Sequence, residues 1–339
     1  MSLRLRVIGA ASVLTLIIAS VVLIWWRGPD WVTVWNAFEL VSWEWIAAAL
    51  GLNLLSVAAR TLCWRTIIDQ AVDPQPSLGS VFSAYAVGLL GNAALPARAG
   101  ELARVAVLTR RMERGQGATA TLLGTVFAHR VFDLFPALVL IAYVLLVADI
   151  PHWAVTSLVL VAGIGVMLFA FALVSGRIRH QPALDELGRV RRLLSMARRG
   201  LGVMRSPLAA VIAVLFQSIG WFLQLIAVWA AMRAFEIDAP LDAAALVLLL
   251  MNVATVFPLW PGNFGLLQAA VALPLVSYGV AYARGFAYGL GLVFLAREGI
   301  SFATLREMPR EAEEELPAAE AAVETIEADA RRTRTRVPG

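Results

Sequence analysis

The sequence predicts an all-α polytopic membrane protein, with about six full spans and two re-entrant hairpins arranged as an inverted-topology repeat. Three observations point there. Hydrophobic residues make up 60% of the chain and charged residues only 15%, against about 25% charged in an ordinary soluble domain. Several apolar runs reach the ~20 residues that a helix needs to cross a hydrocarbon layer about 30 Å thick. Two further apolar segments are too short, or too broken by proline and glycine, to cross, and they occupy matching places in the two halves of the chain.

Val7 to Trp26 is the first span, with Arg4 and Arg6 before it and Trp25, Trp26 and Arg27 after it as interfacial anchors. A basic start and an apolar run also describe a signal peptide. This run is long for one and has no A-x-A site before Arg27, so it is read as retained. Gly28 to Ser42 is too polar for lipid, and Trp31 and Trp35 suit an interface-lying stretch. Trp43 to Arg60 is the second span, ending in Arg60 and Arg65, and Asp69 to Ser77 with Pro74 and Pro76 is a turn.

Val81 to Leu95 is apolar but only about fifteen residues long, short for a crossing. It ends at Pro96, and a charged helical stretch through Arg98, Glu101, Arg104, Arg110 and Arg111 follows, which reads as a re-entrant hairpin. Ala118 to Val147 is a long helix with His129, Arg130 and Asp133 near its middle, and Trp153 to Val174 returns across the bilayer. The arginine-rich stretch Arg177 to Arg205 is cytoplasmic by the positive-inside rule. Basic juxtamembrane residues also gain about 1 kcal/mol each near anionic lipid, so orientation and surface adhesion explain it without a partner. Leu208 to Met232 crosses again to an acidic connection at Glu236, Asp238 and Asp242. Ala243 to Ser277, broken at Pro258, Pro261 and Gly262, is the second hairpin, and Arg284 to Thr304 is the last span, where Arg297 snorkels to the interface.

Residues 1–306 thus form a transmembrane domain, and 307–339 a charged cytoplasmic tail, disordered or loosely helical. With the N-terminus inside, the spans place Arg60, Arg65, Arg110, Arg111, Arg114 and the arginine loop on the cytoplasmic side of the cell membrane. The same count yields two span, hairpin, span units of opposite entry, the architecture of many transporters, whose sites lie near mid-membrane where broken helices meet.

The single cysteine, Cys63, excludes an intramolecular disulfide and a paired-cysteine metal site. His129, His152 and His180 are scattered, so no metal or other cofactor is expected. No lysine occurs, which removes Schiff-base and P-loop chemistry. No nucleophile, base and orienter set is visible, so the chain is not expected to be an enzyme, and no nucleic-acid partner is expected.

The chemistry-bearing residues cluster at the breaks. In the first hairpin Arg98, Glu101 and Arg104 recur every three residues and share a helix face. Pro96 suits the first turn of a new helix whose free N–H groups and positive dipole end favour an anion. Asn92 precedes that turn. The set reads either as an anion site in which Glu101 holds the arginines, or as an ion-paired hairpin; intramembrane charges default to function. On the long helix, Arg130 and Asp133 can pair, and His129 is a candidate proton relay or a hydrogen-bonding partner of a neighbouring helix. In the second hairpin Asn252, Asn263 and Gln268 are neutral groups able to meet a head group, or polar caps of a lipid-shielded turn.

Three stretches, Asn92-x-x-Leu95-Pro96-x-Arg98-x-Gly100-Glu101, Arg130-Val131-x-Asp133 and Pro258-x-x-Pro261-Gly262-x-x-Gly265, in this order resemble the lysylphosphatidylglycerol synthase transmembrane region, also called the flippase-like or UPF0104 family. The resemblance spans roughly Leu5 to Met308. His129 and Gln268 depart from it, standing where the family pattern has glutamate. The family resembles the membrane half of multiple peptide resistance factors, which move aminoacylated phosphatidylglycerol between leaflets and carry a soluble transferase domain. Only a short tail follows Thr304 here, so the resemblance implies translocation and not aminoacyl transfer. The expected substrate is a membrane phospholipid or polyprenyl-linked lipid with an anionic head. The alternative is a non-transporting lipid-binding partner of an envelope glycosyltransferase or other lipid-modifying enzyme.

Overall fold

A computed structural model describes residues 29–94, 99–112, 119–148, 150, 152–177, 203, 206–256 and 265–292. All regular secondary structure among them is helical: α1 (Trp31–Glu39), α2 (Trp43–Asp69), α3 (Leu78–Ala94), α4 (Gly100–Arg110), α5 (Thr119–Val147), α6 (His152–Arg177), α7 (Pro207–Ala234), α8 (Leu241–Val256), α9 (Leu266–Val276) and α10 (residues 282–292). The expected first span, the arginine loop from 178 to 202, the last span beyond 292 with Arg297, and the charged tail lie outside the described residues.

Among the described residues, three helices, α2, α5 and α7, are long and apolar enough to cross a membrane. Their 27, 29 and 28 residues correspond to about 40 Å of helix each, more than the hydrocarbon layer requires. Their sidedness is that of a membrane protein. On α7 the exposed residues Leu208, Val211, Leu215, Ile219 and Phe222 form one apolar stripe, while Gln217 on the opposite face is fully buried. A soluble helix would have these reversed.

α2 departs from the expected span in one respect. It continues without a break past Arg60 to Asp69, so Arg60 sits inside the helix and not at its end. The apolar run stops at Arg60, but nothing there breaks a helix. Thr61 and Thr66 direct their hydroxyls to the carbonyls of Val57 and Leu62, and the Arg65 and Asp69 pair closes the last turn at 2.9 Å.

α2 and α7 run antiparallel. The Ser42 N–H donates to the Ala234 carbonyl at 3.0 Å at one end, and the Ser56 hydroxyl donates to the Gly220 carbonyl at 2.8 Å nearer the middle. A Cβ on Gly220 would lie 2.7 Å from Arg60 Cγ, so only glycine allows this approach. α3 and α4 lie back to back through Gly88, Gly91 and Gly100, where a Cβ on Gly100 would fall 2.0 Å from the Gly88 carbonyl oxygen. α8 and α9 form the second pair, bridged by the Tyr278 hydroxyl donating to Asp242 at 2.8 Å.

Among the described residues a small apolar cluster around Cys63, Ile67, Phe132 and Ala213 joins α2, α5 and α7, and two larger cores surround the pairs. One joins α2, α3, α4 and α5 around Trp64, Tyr85, Leu108 and Leu122. The other gathers α7, α8, α9 and α10 around Leu246, Leu275 and Tyr288, and α1 docks on it with Trp31 edge-on to Phe286. The Thr33 hydroxyl and Val32 N–H donate to the Asp30 carboxylate, which caps α1 and holds that carboxyl below its ordinary range.

Candidate functional site

The close glycine contact between α3 and α4 positions Glu101 and Arg104 on the first turns of α4, facing α5 and α2. Arg104 is 3% exposed. Its guanidinium lies over the Trp64 ring at 4.7 Å and beside Tyr85 at 5.5 Å, and it pairs with Glu101 three residues before it. Stacking on aromatic faces partly replaces the water that a buried cation loses. Trp64 is itself fixed by its indole N–H, which donates to the Thr125 hydroxyl at 3.2 Å.

Glu101 also accepts from Arg130 on α5, and Arg130 reaches Asp133 one turn on at 3.1 Å. Asp133 then leaves the first half of the molecule. One of its oxygens accepts from the Gln217 amide and, at 2.9 Å, from the Trp221 indole N–H, both on α7. Trp221 stacks under the Arg60 guanidinium at 5.4 Å, and Arg60 donates to the Gln224 amide oxygen. A continuous polar chain therefore runs from α4 through α5 and α7 to α2, across the junction of the two halves. It holds three guanidiniums, Arg60, Arg104 and Arg130, against two carboxylates, Glu101 and Asp133.

The predicted residues divide into three groups. Glu101, Arg104, Arg130 and Asp133 are brought together, and Glu101 is shared by Arg104, as the spacing suggested, and by Arg130, which the spacing did not suggest. Asn92, Asn252 and Gln268 are placed apart from that chain, and His129 borders it beside Asp133 and the Arg60 backbone. Asn92 packs its buried amide oxygen against Gly100 at the hairpin contact. Asn252 donates to the Leu248 carbonyl of its own helix at 2.8 Å. Gln268, 1% exposed, accepts from the Gly265 N–H at 2.6 Å and closes the start of α9, where Gly265 has φ 87° and no other residue would sit comfortably. His129 is buried with its ring edge-on to Tyr85 at 5.7 Å, and Asp133 takes its hydrogen bonds from Arg130, Gln217 and Trp221 instead. Arg98 and Asn263, together with the helix start expected at Pro96, lie outside the described residues.

Four members of the chain were missed by sequence reasoning: Arg60, Gln217, Trp221 and Gln224. A signal was present. Asn53, Ser56 and Arg60 on α2, and Gln217, Trp221 and Gln224 on α7, are polar groups spaced three or four residues apart in otherwise apolar helices. Two polar stripes of the same period on two membrane helices are a pairing signal, because each needs the other to satisfy its hydrogen bonds away from lipid.

A cavity of ≈ 160 Å³ adjoins the α2 end of the chain, between α2, α7 and α8. Its walls are apolar except for Asn53, Gln224, Asn252 and Thr255. Gln224 belongs both to this wall and to the Arg60 contact. Among the described residues no group of three metal-ligating side chains is present.

The chain is similar to the UPF0104 membrane protein MJ1078 of Methanocaldococcus jannaschii, 24% identical over 204 residues that cover 58% of this chain and 83% of that protein. No solved structure matches it. Residues 12–296 match the family described as the lysylphosphatidylglycerol synthase TM region, and with so much of its length matched, this membrane protein belongs to that family.

Proposed function

We propose that the protein is a flippase-like translocator of a phospholipid or lipid-linked substrate with an anionic head. The polar chain from Arg104 to Arg60 carries this reading. It places five charged side chains within helices whose outer faces are apolar, and positive charges outnumber negative ones. Charges at membrane depth are costly, and an excess of one sign lining a path between helices suits a substrate of the opposite sign.

The helix lengths support an inverted repeat. α2, α3, α4 and α5 run to 27, 17, 11 and 29 residues, and α7, α8 and α9 to 28, 16 and 11, with α10 next in order. In this reading α3/α4 and α8/α9 are re-entrant hairpins, about six spans frame them, and both termini face the cytoplasm of a cell-membrane protein. The head group meets Arg98 and Arg130 and passes between the hairpins as the halves rock, with Glu101 keeping Arg104 and Arg130 in place. No covalent step is involved.

The test is reconstitution in liposomes containing a fluorescent anionic phospholipid, followed by bleaching of the outer leaflet. Protein-dependent movement that falls with Arg98→Ala or Arg130→Gln is the expected result. Lipid bound but not moved would replace this reading with a non-transporting partner of an envelope-lipid enzyme.

A further inference from the structure

We propose that Arg60 and Gln224, with the cavity between α2, α7 and α8, form a binding station for a lipid whose phosphodiester head carries one net negative charge. The station deepens the translocation reading and rests on it for the source of the ligand.

Charge is the first argument. Glu101 and Asp133 form their ion pairs with Arg104 and Arg130, whereas the Arg60 guanidinium donates to a neutral amide and lies over an aromatic face. Among the described residues the chain therefore carries one more positive charge than negative, and half-buried Arg60 is its guanidinium with no carboxylate within salt-bridge distance. A single phosphodiester balances that charge.

Hydrogen bonding is the second argument. A guanidinium has five N–H donors. Arg60 uses one nitrogen on Gln224, and its Nε is buried without an acceptor. Phosphate oxygens match the spacing of adjacent guanidinium N–H groups and can accept two at once.

Arg60 itself does not line the cavity, but Gln224, the residue that holds it, does, as does Asn53, two helical turns from Arg60 on the same face of α2. Apolar walls with a few placed amides and a hydroxyl are the usual make-up of a small-molecule site. At ≈ 160 Å³ it takes the head and its nearest neighbours, not a whole lipid.

The experiment measures binding, not movement. Full-length protein in nanodiscs of neutral lipid is titrated with short-chain phosphatidylglycerol, with short-chain phosphatidylcholine and with inorganic phosphate, reading tryptophan fluorescence, to which Trp221 contributes beside Arg60. Phosphatidylglycerol is expected to bind and the zwitterionic lipid to bind more weakly by about tenfold. Arg60→Gln should abolish that preference, and Arg60→Lys should retain part of it. Asn53→Leu, which fills the cavity without touching a charge, should weaken phosphatidylglycerol binding while leaving thermal stability close to wild type. Arg65→Gln, whose arginine is paired with Asp69 outside the chain, should change nothing.

Equal affinity for the two lipids, or unaltered binding by both Arg60→Gln and Asn53→Leu, would overturn the station. Displacement of phosphatidylglycerol by inorganic phosphate at similar concentration would overturn its lipid source. Arg60-dependent binding without movement in liposomes would uphold the station and remove the translocation reading.

Discussion

The two short helix pairs, α3/α4 and α8/α9, are alike in length and opposite in chemistry. In the first, the polar side chains reach out: Glu101 and Arg104 engage α5 and the aromatic rings of α2 and α3. In the second they turn inward: Asn252, Thr255 and Gln268 each bond to backbone within their own helix or its cap. Two backbones of the same plan therefore meet different demands. The first supports buried charge, and the second satisfies the peptide groups left open by a break.

The difference is sharpest at Glu101. Glu101→Gln leaves Arg104 buried with its anion gone, and a loss of about 3 kcal/mol or more is expected. The partial exposure of Arg130 moderates its share of that loss. A large fall in the thermal unfolding midpoint in detergent is the readout, and a midpoint near wild type would show that the pairing contributes little.

Backbone contact comes next. Gly100→Ala places a methyl against the Gly88 carbonyl at 2.0 Å and should cost about 2 to 3 kcal/mol, the upper range for overpacking. In the second half, Gly289→Ala meets Gln268 Cα at 3.1 Å, and about 1 kcal/mol or less is expected from so slight an overlap. Equal melting shifts for the two variants would contradict the tighter seat assigned to the first hairpin.

Gln268→Leu removes the acceptor of the Gly265 N–H and should cost about 1 kcal/mol. Faster amide exchange confined to the start of α9 would accompany it. Lipid binding should be untouched, which separates a cap from a contact. The smallest effect is expected of Asp69→Asn, whose partner Arg65 is about a quarter exposed; such pairs contribute about 0.5 kcal/mol or less. A change beyond 1 °C or so in the melting midpoint would mark that pair as more than a helix end.

The helical character of the described elements was legible in the sequence, because hydropathy acts locally. The pairing of Arg130 with Asp133 was legible for the same reason: it is decided by spacing within one helix. Arg60 was not. A charge closing an apolar run followed by another arginine has the pattern of a membrane boundary, which masks the matching polar stripes that the packing of α7 against α2 brings together at Gln224 and Trp221. Gln217 and Gln224 were overlooked because isolated amides barely alter the mean hydropathy of a span. The role of Gln268 was ambiguous, since a polar residue near a break serves a ligand or a backbone equally well until the φ of Gly265 is known.

The contact of Gly220 with Ser56 and Arg60 has a mechanical consequence. Ser56 and Gly220 lie 14 residues from the helix ends joined at Ser42 and Ala234, about 20 Å along each axis. A tight crossing at that depth is a fulcrum: tilting one half by about 10° around it would shift the tips by roughly 4 Å while barely disturbing the crossing itself. Arg60, beside that crossing, would move least in such a tilt.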